Sequence, residues 1–277
     1  MPRLLAQARE RIAYVSVFDK DKQQPVRDLP AEAFVIREDG TRREVLRVAT
    51  ADSPLPIAII VDNSQAAAPA INDLRKGLTA FLTAVQGSGP ISIVTIADRP
   101  TALTDYTSSH QELLDAANRL FHGPSSGATL LDAIAEVAKG LAKRDADRAA
   151  IVVITTENIE YSNLQYPDVL AALKASGATL HVLVLVNQRG SFSTDEARNR
   201  STVLDRGPRE SGGVRMDVLS SMSFEPRLRD LAAIIKSQYR VVYSRPQSLI
   251  PPEKFEVSVA KPGLEAHGAP ARGQAVK

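Results

Sequence analysis

The chain has 277 residues, a length that corresponds to one large domain or to one domain with a smaller appendage. Apolar residues make up 44% and charged residues 24%, a balance that excludes a wholly disordered chain. The absence of cysteine excludes disulfides, cysteine-ligated metals and thiol catalysis. The formal net charge of +2 and the scattered arginines provide no basic stripe, so no nucleic-acid partner is predicted.

The first fifty residues have the pattern of a small all-β module. Residues 12–18 are β-branched and aromatic and are followed by turn-forming residues, which predicts a strand. Residues 34–37 and 43–48 flank Asp39-Gly40, a pair that favours the tight turn of a β-hairpin. We therefore predict an N-terminal β module over residues 1–52.

After Pro54 and Pro56 the chain alternates between strand and helix patterns. The predicted strands are continuous apolar runs, and apolar residues at helical spacing lie between them. Apolar strands without alternation are buried on both faces, as in a parallel sheet covered by helices. The predicted fold class is therefore α/β: a doubly wound, mostly parallel sheet flanked by helices, of Rossmann-like type. The predicted strands are 57–61, 91–97, 151–155 and 180–186.

The C-terminal third is more polar. Residues 187–213 lack sustained periodicity and are interpreted as a long surface loop, which could cover a functional face. A helix around residues 228–235 and a strand at 239–243 complete the predicted α/β domain, 53–246. Residues 247–264, with a strand at 255–259, are predicted to pair with the N-terminal module through residues 12–18. Residues 265–277 are predicted to be a flexible tail.

The apolar runs and the N-terminus bear on membrane insertion and export. The longest apolar runs are far shorter than the roughly 18 to 20 residues that span a bilayer, so no membrane span is predicted. The N-terminal residues contain no apolar stretch of signal-peptide length. We therefore expect that the protein stays inside the cell or that its leader is missing from this chain.

Polar residues follow the first central strand, at the edge of the sheet where doubly wound folds bind ligands. Asp62 and Ser64 are two residues apart and have the oxygen atoms of a half-site for a hard cation such as Mg²⁺. The same residues also favour helix N-caps, and the spacing leaves both interpretations open. Residues 125–129 and 155–158 are expected at the same edge. The former lacks the glycine and lysine spacing of a phosphate-binding loop, so no nucleotide is predicted.

Several motifs resemble those of one family. The chain resembles a von Willebrand factor A-type domain, and within that group the bacterial VWFA-related domain proteins, over roughly residues 11–268. The segments that carry the resemblance are residues 29–40 with their Glu38-Asp39-Gly40 end, Asp62-Asn63-Ser64, Asp132-Ala133-Ile134, Gly212-Gly213 and residues 238–243.

The resemblance implies a metal-ion-dependent adhesion site, which this sequence matches only in part. Asp62 and Ser64 occupy the first two positions, but Ala66 stands where the pattern has a second serine. Ala128 stands at the threonine position, with Thr129 one residue late, and Glu157 replaces the usual aspartate. Because Mg²⁺ demands near-ideal octahedral geometry, we predict no tightly bound metal and no other cofactor.

The predicted function is non-catalytic binding of another protein, whose identity the sequence does not disclose, at the carboxyl ends of the strands. One alternative is metal-dependent ligand binding, with Mg²⁺ or Mn²⁺ held weakly by Asp62, Ser64 and Glu157. A second alternative is a hydrolase that uses Asp62 and Glu157 as paired carboxylates. No catalytic residue is predicted, and the resemblance implies export or a periplasmic location. The predicted binding face comprises Asp62, Asn63, Ser64, Thr129 and Glu157.

Overall fold

The computed structural model describes residues 8–21, 24–124, 127–144, 146–186, 194–246, 250 and 252–272. The strands are β1 (Ala8–Asp19), β2 (Phe34–Glu38), β3 (Thr41–Arg43), β4 (Val45–Thr50), β5 (Ile57–Val61), β6 (Ile91–Thr95), β7 (Thr101–Thr107), β8 (Gly127–Ala128), β9 (Ala149–Thr156), β10 (Ile159–Glu160), β11 (Ala178–Leu185), β12 (Arg215–Val218), β13 (Tyr239–Pro246), β14 (Phe255–Val259) and β15 (Leu264–Pro270). The helices are α1 (Ile71–Ala84), α2 (His110–Asn118), α3 (Leu130–Ala142), α4 (Tyr166–Ser176), α5 (Asp195–Ser211) and α6 (Phe224–Lys236).

Contacts divide the chain into two units. One combines Met1–Ser53 with Ile234–Lys277, and the other is Pro54–Ala233. Strand β13, which the sequence analysis assigned to the α/β domain, belongs to the first unit.

The second unit is built on a six-stranded sheet in the order β12-β11-β9-β5-β6-β7. Its strands pair in parallel except for β7, which runs antiparallel to β6. The predicted α/β class with a mostly parallel sheet is therefore confirmed. The two edge strands β7 and β12 were not predicted, because few of their side chains are buried and they lack a continuous apolar run.

Helices cover both faces of this sheet. Ala58 and Ile60 of β5 belong to a buried cluster with residues of α3, α4, α5, β9 and β11. The alternate residues Ile57, Ile59 and Val61 face the other side and are also fully buried. This burial on both faces explains why the central strands have continuous apolar sequences.

Helix α5 corrects the interpretation of residues 187–213 as a surface loop. Residues 187–193 lie outside the described residues, but Thr194 caps α5 by accepting a hydrogen bond from the backbone N–H of Ala197. Val203 and Leu204 join the buried cluster of the sheet. The helix ends at Gly212 with a φ of 80°, and a Cβ on the next residue, Gly213, would lie 2.0 Å from the carbonyl oxygen of Leu180.

The first unit contains two antiparallel sheets. One has the order β15-β1-β13-β4 and the other the order β14-β2-β3. Asp39 and Gly40, with φ of 47° and 78°, form the predicted turn between β2 and β3. Apolar residues of β1, β2 and β13 form the core of this unit, among them Val15, Ile36 and Val241.

Residues 255–259 pair with the N-terminal module as predicted, but not through residues 12–18. The structure pairs residues 255–259 (β14) with β2, and the partners of β1 are β13 and β15. Residues 264–270, most of which the sequence analysis assigned to a flexible tail, form strand β15. Their small, mixed side chains, from Leu264 to Pro270, do not have the alternation that identifies a strand from sequence.

Candidate binding face at the carboxyl ends of the central strands

Asp62 directly continues the buried strand β5. Its backbone N–H donates to the carbonyl oxygen of Ile154 at 2.9 Å, which extends the pairing of β5 with β9 by one residue. The side chain is completely buried. Its Oδ1 accepts a hydrogen bond from the backbone N–H of Ser64 at 2.9 Å, so the carboxylate shapes the turn after the strand.

The second oxygen of Asp62 is surrounded by donors from the end of β9. Oδ2 accepts from the backbone N–H of Thr156 at 3.0 Å and from its hydroxyl at 2.8 Å. The hydroxyl of Thr155 lies at 3.1 Å and the Nδ2 of Asn158 at 2.7 Å. Oδ2 is therefore saturated by hydrogen bonds from the protein, while Oδ1 accepts the bond from Ser64.

Asn158 connects Asp62 with Ser64. Its Nδ2 lies 3.0 Å from Ser64 Oγ in addition to its contact with Asp62. Its Oδ1 accepts a hydrogen bond from Nη1 of Arg200. The amide has this orientation because the opposite one would place its oxygen against a carboxylate and its NH₂ against a guanidinium.

Arg200 extends from α5 into this cluster and is itself buried. Its Nη2 donates to Thr155 Oγ1 and to the carbonyl oxygen of Thr156, both at 2.7 Å. Nη1 lies 3.4 Å from Oε2 of Glu160, which is also buried. Burial raises the pKa of the Glu160 carboxyl, and the positive charge of Arg200 opposes that rise.

We call this set the Asp62 network: Asp62, Ser64, Thr155, Thr156, Asn158, Glu160 and Arg200. From sequence, Asp62 and Ser64 were predicted as site residues and residues 155–158 were expected at the same edge, but Asn158, Glu160 and Arg200 were assigned no role. A signal for Arg200 was present, because Thr194 is a helix cap and Arg200, Val203, Leu204 and Gly207 follow at spacings of a buried helix face.

The remaining residues of the predicted face have other contacts. Asn63 accepts hydrogen bonds from the backbone N–H groups of Ile96 and Ala97 at 3.2 and 2.9 Å, and donates to the carbonyl oxygen of Phe121 at 3.1 Å. The hydroxyl of Thr129 donates to the carbonyl oxygen of Ile96 at 3.3 Å. Asn63 and Thr129 therefore hold neighbouring loops together.

Glu157 lies between two residues that bond to Asp62. Its backbone N–H donates to the carbonyl oxygen of Leu185 at 3.1 Å, and its side chain is partly exposed. Asn158, one residue later, is the residue of this turn that reaches both Asp62 and Ser64. Of the five predicted face residues, Asp62, Ser64 and Thr129 are buried, whereas Asn63 and Glu157 are partly accessible.

The residues present do not fit a divalent cation between Asp62 and Ser64. A cation there needs oxygen ligands, and Mg²⁺ binds them at about 2.0 to 2.1 Å. Here an amide NH₂ is aimed at both oxygens, and the carboxylate already accepts hydrogen bonds on each side. Across the described ranges, no group of three or more His, Asp or Glu side chains is placed to hold a metal.

Large apolar side chains are exposed on the loops at the same edge of the sheet. Phe121 is 65% exposed. Its carbonyl oxygen accepts a hydrogen bond from the side chain of Asn63, which holds it close to the end of β5. Tyr161 is 49% exposed in the segment that follows β9, and Leu219, at 75%, directly follows β12. The guanidinium of Arg75 lies 4.7 Å from the centre of the Phe121 ring and makes a cation–π contact with it. Ile159, in the short strand β10, and Met222, after β12, are also exposed.

Comparison with known proteins identifies the fold of the second unit. Residues 57–158, which contain β5, β6, β9 and the turn with Asn158, match the family model of the von Willebrand factor type A domain. The second unit therefore has the fold of a von Willebrand factor type A domain. The resemblance to a von Willebrand factor A-type domain that the sequence motifs indicated is thereby confirmed. No curated protein sequence matches the chain.

Solved structures with this fold are distant in sequence. A von Willebrand factor type A protein from Catenulispora acidiphila has a TM-score of 0.55 and 10% identity, and the match covers 97% of this chain and 64% of that one. Proximal thread matrix protein 1 from the mussel byssus, with a zinc-occupied metal-ion-dependent adhesion site, has a TM-score of 0.52 and 11% identity over 72% of this chain and 49% of that one.

A third structure is the von Willebrand factor domain of a type V pilus tip protein from Porphyromonas gingivalis. It has a TM-score of 0.51 and 11% identity, with 67% of this chain and 96% of that chain covered. The chain thus spans about half to two thirds of the length of the Catenulispora and mussel proteins. At these identities the likeness concerns the fold. Among the described helices, none combines the length and apolar character that a membrane span needs.

Proposed function

We propose that this chain is a non-catalytic protein-binding module, that its partner docks on the loops at the carboxyl ends of the central strands, and that no tightly bound metal takes part. The observation that carries the proposal is the exposure of Phe121, Tyr161 and Leu219 on these loops. Aromatic and large apolar side chains are the residues that anchor protein interfaces.

The Asp62 network supports the proposal by giving these loops a fixed base. Asp62, Thr156 and Asn158 join the ends of β5 and β9, and Arg200 joins both to α5. Loops held on a rigid scaffold lose little conformational entropy when a partner binds. The module therefore presents its apolar side chains in a preformed arrangement.

Two relatives with this fold are a pilus tip protein and a byssal thread matrix protein. Their names describe structural proteins, and we carry over only the class of binding module. The metal-dependent alternative needs Asp62, Ser64 and Glu157 to converge on a cation, but Asn158 takes the position between Asp62 and Ser64. The hydrolase alternative needs an accessible carboxylate pair, and Asp62 is completely buried.

Site-specific photo-crosslinking tests the proposal. A photoreactive residue is placed at Phe121 or Tyr161, and in matched controls at Gln86 or Lys143, which are exposed at the opposite edge of the sheet. We expect discrete adducts in extracts of the source cells from the first pair and not from the controls. Excess unlabelled protein should suppress these adducts, and the double variant F121S/Y161S should not.

Equal adducts from both edges, or competition by F121S/Y161S as strong as by the unchanged protein, would place binding elsewhere. Turnover on a broad hydrolase panel that Asp62→Ala and Glu157→Ala abolish would instead establish the enzyme alternative.

A further inference from the structure

The position between Asp62 and Ser64 is filled by a hydrogen-bond donor. The Nδ2 of Asn158 lies 2.7 Å from Asp62 Oδ2 and 3.0 Å from Ser64 Oγ. These distances are those of N–H···O hydrogen bonds and exceed metal–oxygen distances by more than half an ångström. One nitrogen therefore bridges the two oxygens that the sequence pattern offers to a cation.

The guanidinium of Arg200, on α5, places a positive charge behind the groups that donate to Asp62. Arg200 donates to Asn158 Oδ1 on the far side of the amide that donates to Asp62. It also donates to the hydroxyl of Thr155, which lies within hydrogen-bond distance of Asp62 Oδ2. Consecutive hydrogen bonds polarise one another, so the guanidinium strengthens the donors that face the buried carboxylate.

We propose that the amide of Asn158 and the guanidinium of Arg200 together replace the divalent cation of this fold. The amide bridges the oxygen atoms, and the guanidinium supplies the charge through it. The loops after β5 and β9 are thereby fixed to α5 without metal. This inference concerns the internal structure of the domain and holds whether or not the proposed partner exists.

The replacement predicts opposite metal responses from the natural chain and from an Asn158→Asp variant. Manganese titration, followed by electron paramagnetic resonance and by thermal unfolding, should show no saturable binding to the natural chain and no change in its Tm with chelator. Asn158→Asp removes the bridging donor and places a second carboxylate beside Asp62. Its Tm without metal should fall by about 4 to 8 °C, which corresponds to roughly 2 kcal/mol for a domain of this size.

Manganese should recover part of the lost Tm, and the recovery should saturate with metal concentration. The reason is that carboxylate and hydroxyl oxygens then converge without a competing NH₂. Asn163→Asp is the matched control, because Asn163 is exposed in the same segment after β9 and lies outside the Asp62 network. This control should show neither the loss nor the manganese response. Should Asn158→Asp fail to fold, Asn158→Ala removes the same donors without added charge and should show a smaller loss.

Saturable manganese binding to the natural chain that Asp62→Ala abolishes would overturn the proposal, because a cation would then displace the amide. An Asn158→Asp variant as stable without metal as the natural chain would overturn it equally, since the amide would not be holding the loops. Neither result depends on partner binding, so each can be separated from a failure of the proposed function.

Discussion

Two buried carboxylates in this chain are neutralised in different ways. Glu38 of β2 lies 2.9 Å from Nε of Arg43 and 2.9 Å from Nε of Arg245, and it accepts a hydrogen bond from the hydroxyl of Tyr243 at 3.0 Å. The Arg43 contact has hydrogen-bond geometry, whereas the Arg245 Nε contact is one of charge alone. Asp62 instead accepts hydrogen bonds from neutral groups such as the amide of Asn158. Arg200 donates to Asn158 and so reaches Asp62 only through it.

The difference shows that a buried carboxylate with an arginine does not by itself mark a functional site. The Glu38 cluster joins β2, β3 and β13 within antiparallel sheets, where it satisfies buried charges. The Asp62 network lies at the carboxyl ends of parallel strands, the edge at which this fold class binds ligands. Position in the fold, and the exposed apolar side chains beside it, distinguish the second cluster from the first.

The largest effect is expected from Arg200→Met. The substitution keeps an unbranched apolar stem but leaves Glu160 buried without its positive partner and Asn158 Oδ1 without its donor. Breaking one side of a buried pair typically costs about 3 to 5 kcal/mol. Urea unfolding followed by circular dichroism measures the loss. Arg206→Met on the same helix is the control, because Arg206 is exposed, and an equal loss there would contradict the role of Arg200.

A smaller loss is expected from Asp62→Asn. An amide of the same shape places an NH₂ group where either Ser64 N–H or the donors of Thr156 and Asn158 now point. Donors that face each other in a buried site lose their hydrogen bonds, so we expect a loss of about 2 to 4 kcal/mol. Asp98→Asn is the control, since Asp98 is exposed after β6. Unchanged stability of Asp62→Asn would show that Asp62 is not the centre of the network.

The central strands were predictable from sequence because burial on both faces demands continuous apolar runs such as residues 57–61 and 151–154. Helix α5 was missed because its exposed turns are densely charged and only a narrow stripe, including Val203 and Leu204, is buried. Strand β15 was missed because its small side chains lack alternation.

The candidate site was predictable only in part. The position of Asp62 and Ser64 after a buried strand follows from local pattern. The family resemblance directed attention to Glu157, although Asn158 makes the contact. Arg200 is 42 residues from Asn158 in sequence, and only the packing of α5 on the sheet brings the two together.

Arg245→Met tests the comparison from the Glu38 side. Glu38 keeps its hydrogen bonds from Arg43 and Tyr243 after this substitution, whereas Arg200→Met removes the positive charge that offsets the burial of Glu160. We therefore expect a loss of about 1 to 3 kcal/mol, smaller than that of Arg200→Met. Denaturant unfolding of the two variants side by side measures the difference. A larger loss for Arg245→Met than for Arg200→Met would show that the hydrogen bonds from Arg43 and Tyr243 do not compensate Glu38.

The smallest change at neutral pH is expected from Tyr243→Phe, which removes one hydrogen bond to Glu38, about 1 kcal/mol. Burial and the adjacent Glu38 carboxylate raise the pKa of Tyr243 above its ordinary value of 10.0. The folded protein therefore keeps the phenolic proton at a pH where the unfolded chain loses it. The stability from this group is complete below the unfolded pKa and falls as pH rises above it.

Thermal unfolding between neutral pH and strongly alkaline pH should show a steeper decline of the Tm for the natural chain than for Tyr243→Phe. Parallel declines would mean that Tyr243 ionises in the folded state as readily as in water, and that the Glu38 cluster is open to solvent.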